Sequence, residues 1–196
     1  MFSMIKVLRH RNRTPTHGLF DTVRHDRRVG LTDIDFNLHL NNVKYLKYME
    51  QTRLEHLLAT GLLWRSLRAG VNSVIANTEI SYIRELRTWQ PFTVTARIVG
   101  WDEKYFYYEQ RFESEGRLCT HAFIRLASLH RGKSIPMARM LELTGFRDTP
   151  PPLPEPALRW REMLASKRDY ALAFDSTGAT RNPSVTAPAG ENRHVA

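Results

Sequence analysis

The chain has 196 residues, with 29 Lys and Arg against 20 Asp and Glu, a net charge of +9 and 42% hydrophobic residues. That length and composition suit one domain with a tail and exclude wholesale disorder, collagen-like repeats and low-complexity chains. A single cysteine excludes a disulfide framework and a structural Cys-zinc site. No apolar run approaches the ~18–20 residues of a membrane span, so a soluble, cytoplasmic protein without a membrane span is expected. The pI near 10 raises nucleic acid as a partner, because Lys and Arg neutralise phosphates. Much of that charge, however, sits in Lys6, Arg9, Arg11 and Arg13, ahead of the first acidic residue, Asp21. No helix-turn-helix, zinc-finger or RNA-recognition signature accompanies it: Lys104-Tyr105-Phe106-Tyr107-Tyr108 has the aromatics of an RNA-binding strand without its glycines. No nucleic-acid partner is expected, and a basic surface suits an anionic small molecule equally well.

Residues 1–18 read as a basic arm, with Phe2 to Leu8 able to pack as an edge segment. Residues 19–147 carry dense periodic patterning and form the expected folded domain. Val23 to Leu31 fits a first strand. Asn41 or Asn42 then caps a helix running to Thr60, with Gly61 as its stop. On it, Val43, Leu46, Leu54, Leu57 and Leu58 fall on one stripe at the 3.6 period, with Glu50 in its middle. An acid there needs a hydrogen-bonding or cationic partner if it is buried. A second helical piece spans Leu62–Ala69 and ends at Gly70. Four strands follow, over Val71–Ile83, Phe92–Trp101, Tyr105–Glu115 and Leu118–His130, with alternation clearest in Val94/Ala96/Ile98 against Thr93/Thr95/Arg97. Cys119 lies among apolar neighbours and reads as core filler. The connections Asp102-Glu103-Lys104 and Glu115-Gly116-Arg117 are hairpin-sized, so these strands are antiparallel neighbours. One long helix followed by a meander of long strands predicts an α+β fold, an antiparallel sheet wrapped around a central helix. Residues 148–196 begin with a proline-rich spacer, Pro150 to Pro156. A helix over residues 157–170 with Leu158, Met163 and Leu164 on one side follows, and the polar tail beyond Phe174 is expected to be disordered.

The densest polar constellation lies between the first strand and the long helix, from Asp33 to Tyr45. A calcium loop would need Gly where Leu38 stands and a bidentate Glu where Lys44 stands. A zinc hydrolase would need partners spaced about His39 that are absent. The nucleophile elbow, the P-loop and the dinucleotide fingerprint are absent too, and spacing alone leaves a generic Ser-His-Asp triad open although nothing points to it. What remains is a carboxylate beside a helix N-terminus, whose unpaired N–H groups can polarise a carbonyl oxygen while the carboxylate attacks it or activates water. This is acyl-transfer chemistry that needs no metal.

Asp33-x-Asp35-x-x-x-His39-x-Asn41-Asn42-x-x-Tyr45, followed by Tyr48-Met49-Glu50, resembles the motif of hot-dog-fold thioesterases of the 4-hydroxybenzoyl-CoA thioesterase type, in the acyl-CoA thioesterase-like subgroup. The resemblance runs from about Phe20 to Phe146 and includes Glu79-Ile80-Ser81-Tyr82-Ile83-Arg84. It implies a hot-dog fold, hydrolysis of an acyl-CoA or acyl carrier protein thioester within fatty acid metabolism, no metal or other cofactor, and a homodimer or dimer of dimers with the site at the subunit interface. Asp35 then matches the nucleophile or general base, and Asn42 and Val43 the backbone N–H groups that hold the thioester oxygen. His39 and Asn41 match motif positions that orient the aspartate or its water, and Glu50 matches an acid on the central helix. Tyr45, with Tyr48 and Met49, shapes the acyl pocket. Many relatives carry Gly before the histidine, so with Leu38 the loop must turn without glycine's freedom.

Each residue also has an ordinary reading. Asp35 fits a turn or cap, His39 an exposed loop histidine and Asn41-Asn42 a side-chain cap. Arg84 and Arg87 fit either a grip on CoA phosphates or a solvated strand end. Two other functions fit the same fold: an acyl-CoA hydratase or dehydratase, whose Asp-x-Asn-Pro-x-His dyad Asp35 to His39 matches only in part, and a non-catalytic acyl-CoA or lipid-binding module.

Overall fold

In a computed structural model of the protein, residues 15–176 are described. The expected edge segment Phe2 to Leu8 and the tail from residue 177 lie outside them. The chain divides into two compact units, Met1–Pro154 and Glu155–Ala196.

In the first unit, β1 (Val23–Arg28) leads through a short 3-10 turn at Leu31–Asp33 to α1 (Asn42–Ala59) and α2 (Leu62–Arg68). The strands β2 (Val71–Tyr82), β3 (Pro91–Trp101), β4 (Tyr105–Ser114) and β5 (Arg117–His130) follow. The sheet is antiparallel throughout, in the order β1-β3-β4-β5-β2. The central helix and four long strands therefore stand where the pattern puts them. The first strand stops at Arg28 rather than Leu31, because the chain breaks away to cap the 3-10 turn: the Gly30 N–H donates to Asp33 Oδ2. Two elements have no counterpart in the sequence reading: β6 (Lys133–Ile135), which pairs with β5, and α3 (Met137–Thr144). This wrapped antiparallel sheet around a helix is the hot-dog fold.

Local chemistry places α1. Asn41, in extended conformation, accepts from the Val43 N–H through Oδ1 at 2.9 Å, and the helix ends at Gly61 in the left-handed region at φ +71°. A Cβ there would lie 2.9 Å from Pro15 Cγ, so both conformation and space require glycine. Gly100, at φ +141° where the β3–β4 register slips, has the Pro151 carbonyl against its missing side chain.

The buried face of α1 corrects the sequence reading. Val43 is 69% exposed and Leu46 47%, and Glu50 faces outward rather than sitting in an apolar stripe. Leu58 is buried and Leu57 packs partly buried against the core, as the stripe implies, but the rest of the inward face is Tyr45, Met49, Thr52, Arg53 and His56. These polar groups are tolerated because the sheet supplies partners. Arg53 Nη1 donates to Gln110 Oε1 at 2.8 Å, and Gln110 Nε2 donates to the Met49 carbonyl at 3.0 Å. His56 lies 2.9 Å from the Tyr108 hydroxyl and 3.1 Å from the Asp21 carbonyl. A carbonyl only accepts, so Nε2 carries the ring proton and Nδ1 accepts from Tyr108. Around this network Tyr45, Phe92 and Phe112 pack ring against ring, and Cys119 is buried in the same core.

On the opposite face of β4, Glu109 is 6% exposed. It is held by Arg97 at 2.7 Å, Arg111 at 2.8 Å and His121 at 2.9 Å. Burial alone would raise its carboxyl, but the hydrogen bonds from those three cationic or cation-forming side chains outweigh that and set it at about 2.

The described residues of the second unit form one helix, α4 (Glu155–Ser176), longer at both ends than the sequence reading. An Arg159–Glu155 pair at 2.8 Å ties its first turn. Met163, placed on its apolar side in that reading, is exposed.

Candidate functional site

The site is built by two loops laid side by side. One runs from β1 to α1 and carries the Asp33-to-Asn42 motif; the other leaves β2 at Tyr82 and enters β3 at Pro91. Backbone bonds lock them together: the Leu40 N–H donates to the Leu86 carbonyl at 2.8 Å, and the Trp89 N–H to the Val29 carbonyl at 2.9 Å. The Thr88 hydroxyl adds a bond to the Leu38 carbonyl at 3.0 Å. Leu86 is fully buried and anchors the second loop in the core.

Within the first loop the two aspartates have different work. Asp33 is structural. Its carboxylate accepts from the Gly30 N–H at 3.1 Å and the Tyr48 hydroxyl at 2.8 Å, with Lys44 Nζ at 3.2 Å. Burial pushes against ionisation, but these three donors together hold the Asp33 carboxyl below its ordinary value. The same burial, reinforced by the Asp33 charge, moves Tyr48 up to about 12 and keeps it a neutral donor.

Asp35 is half-buried, and its carboxylate accepts from the Asn37 N–H at 2.9 Å. A tight turn follows, closed by the Leu38 N–H on the Asp35 carbonyl at 3.0 Å and the Asp35 N–H on the His39 carbonyl at 3.1 Å. The turn is made as the missing glycine requires: Leu38 sits at φ +60°, a conformation that costs an L-residue roughly 1–2 kcal/mol.

Asp35, His39, Asn42, Tyr45 and Arg84 all line one cleft of about 300 Å³. Five of the residues singled out from sequence thus come together. Asn41 is absent from the lining because it caps α1, and that cap occupies the Val43 N–H. Of the two amides expected to face a substrate oxygen, the one at Asn42 makes no hydrogen bond among the described residues, whereas Val43's is committed. Arg84 spends Nη1 on the Leu118 carbonyl at 2.6 Å. Tyr45, 3% exposed, forms the floor with Tyr82 edge-on at 5.1 Å, and burial moves its hydroxyl up to about 12, so it is an uncharged wall.

Sequence reading missed Tyr82, Ile83 and above all Glu85, which also line the cleft. Glu85 Oε2 lies 3.0 Å from His39 Nε2, while Oε1 accepts from Arg87 Nε at 2.7 Å. The Arg87 hydrogen bond, together with the Arg87 charge and His39, holds the Glu85 carboxyl below its ordinary value. Glu85 is the neighbour of Arg84 and Arg87, and their charge pattern at a strand end was its one visible signal. Among the described residues no three His, Cys, Asp or Glu side chains gather as a metal site, and no helix is long and apolar enough to cross a membrane.

The arrangement places a carboxylate, an imidazole and a free helix N-terminal amide around one concave space, the parts needed to attack and stabilise an acyl carbonyl. The match to the Thioesterase-like superfamily over residues 29–161 agrees, and the chain belongs to that superfamily. Protein THEM6 of Xenopus laevis is 40% identical over 80 residues, 41% of this chain and 39% of that protein. The Danio rerio THEM6 is 41% identical over 88 residues, 45% and 44% of the two chains. The chain thus matches less than half the length of these relatives. Among solved structures, a probable thioesterase from Bartonella henselae superposes with a TM-score of 0.53 at 24% identity, covering 59% of this chain and 98% of that one. Staphylococcus aureus SAV2348, solved in complex with CoA, superposes with 0.53 at 19% identity, covering 71% and 93%. Both share the hot-dog fold.

Proposed function

We propose that the protein is an acyl-CoA thioesterase, with Asp35 as nucleophile or general base and the Asn42 N–H as the principal oxyanion donor. The observation that carries the reading is the pairing, in one cleft, of a lightly engaged Asp35 carboxylate with the open N-terminus of α1. The Asp35 carboxylate either adds to the thioester carbonyl or takes a proton from water that adds. Charge develops on the carbonyl oxygen beside the Asn42 amide and the C–S bond breaks. On the general-base route the thiolate takes up the proton that Asp35 drew from water and the acid is released directly. On the nucleophilic route the acyl group stays on Asp35 as a mixed anhydride until water hydrolyses it, releasing the acid, regenerating the carboxylate and supplying the proton of the thiol. Superfamily membership and a CoA-bound relative of the same fold support the choice of CoA. The cation-rich strand end at Arg84 and Arg87 suits its phosphates.

A homodimer belongs to this reading. β2 ends the sheet, and Val74 and Ile75 on it are 43% and 53% exposed, an open apolar edge of the kind that a second copy covers. The test is release of free thiol from a panel of short-, medium- and long-chain acyl-CoAs, run beside hydration of an enoyl-CoA. Thiol release supports the thioesterase; hydration without thiol release replaces it with a hydratase.

A further inference from the structure

We infer that Glu85 is a positioning residue that fixes the His39 ring inside the cleft, and that Arg87 holds Glu85 in place; the inference rests on the thioesterase reading above. Three observations converge. The Glu85 carboxylate bridges, Oε2 to His39 Nε2 at 3.0 Å and Oε1 to Arg87 Nε at 2.7 Å, so each oxygen has its own partner. Its backbone is pinned on both sides, by the Arg84 N–H on the Cys119 carbonyl at 2.9 Å and by the Leu86 carbonyl accepting from Leu40 at 2.8 Å. His39 is itself paired by backbone bridge with Arg87, so all three residues share one register. Glu85, His39 and Asp35 line the same cleft.

The chemistry follows from what a carboxylate can do. It only accepts, so the ring proton of neutral His39 resides on Nε2, and Nδ1 is left as the nitrogen that can accept one. An imidazole with both position and tautomer set is a better partner for Asp35 or its water than a loop histidine free to rotate. Hydrogen-bonding partners behind metal-bound histidines typically matter by about 10–100-fold, and the low end of that range sets the scale expected for a partner that fixes His39. Asp35 and Arg84 line the cleft with His39, while the carboxylate in contact with the ring is that of Glu85, which Arg87 holds from its other side. Glu85 is thus the acid that sets the ring, leaving Asp35 unencumbered for the substrate.

The test uses full-length protein labelled with ¹⁵N-histidine, at a pH where the ring is neutral, with His39→Ala identifying the His39 signals. The ring-nitrogen shifts are expected to report a single Nε2–H tautomer in the wild type. A mixture is expected in Glu85→Ala, and the single form again in Glu85→Gln, whose amide oxygen still accepts. With acyl-CoA, Glu85→Ala is expected to lower kcat about tenfold with KM unchanged, and Glu85→Gln to recover most of the loss. In a His39→Ala background, adding Glu85→Ala is expected to change kcat less than about twofold. An unchanged tautomer in Glu85→Ala, or the same kcat loss in both backgrounds, overturns the inference. A wild type that releases no thiol from any acyl-CoA refutes the thioesterase reading instead, while the ring-nitrogen signature still decides the Glu85–His39 pairing.

Discussion

Acidification is expected to destabilise this fold well above the pH at which carboxylates protonate, through His56. Its ring is fully buried on the inner face of α1, where burial, against the weaker pull of the Asp21 carbonyl, moves it down to about 4 from an ordinary 6.5. Between those values the unfolded chain binds a proton that the folded one refuses. The stability contribution is therefore complete above pH 6.5 and drains as the pH falls toward 4. For this shift the linkage relation gives a loss of about 2 kcal/mol at pH 5 and about 3 kcal/mol at pH 4. Glu109, set at about 2, loses its contribution lower, from about pH 4.5 downward, so the two windows separate. Urea denaturation between pH 7.5 and 4.5 measures the slope, with His56→Gln as the untitratable reference. Wild type should lose about 2 kcal/mol more than the variant between pH 7.5 and pH 5; equal losses in both would mean that His56 is not the group that titrates.

Removing the cap in Asn41→Ala should cost about 1 kcal/mol in denaturant unfolding while leaving the Val43 N–H without its intramolecular acceptor. Leu38→Gly should relieve roughly 1–2 kcal/mol of backbone strain against roughly 0.5–1 kcal/mol of added chain entropy. A small rise in melting temperature is therefore expected in calorimetry, and a clear fall would contradict the strained turn. Glu109→Gln strips the carboxylate from Arg97, Arg111 and His121, and about 3 kcal/mol should be lost in the same urea assay at pH 7.5.

The strands were legible because the buried Val94, Ala96 and Ile98 alternate with the less buried, polar Thr95 and Arg97. The bounds of α1 were legible because Asn41 and Gly61 act through local backbone chemistry. Its buried face was not, since Arg53 and His56 turn inward only because Gln110 and Tyr108 wait on β4 more than fifty residues away. An apolar count along the helix favours Val43 and Leu46 and has no means of seeing those partners. The helix Met137–Thr144 had a legible stop in Gly145, but at 8 residues its period is short. Asp35, His39 and Asn42, which line one cleft, were singled out through the spacing of one contiguous motif. Glu85 escaped because it meets His39 across two loops, through pairing that no local pattern encodes.

Thiol release from acyl-CoA by wild type and Asp35→Asn side by side, both shown to be folded by their unfolding transitions, decides whether Asp35 carries the chemistry. Turnover by the wild type is expected, with a loss of at least about a hundredfold in kcat in the variant, the scale of a positioned base or nucleophile. Turnover by a folded Asp35→Asn at the wild-type rate would contradict that role.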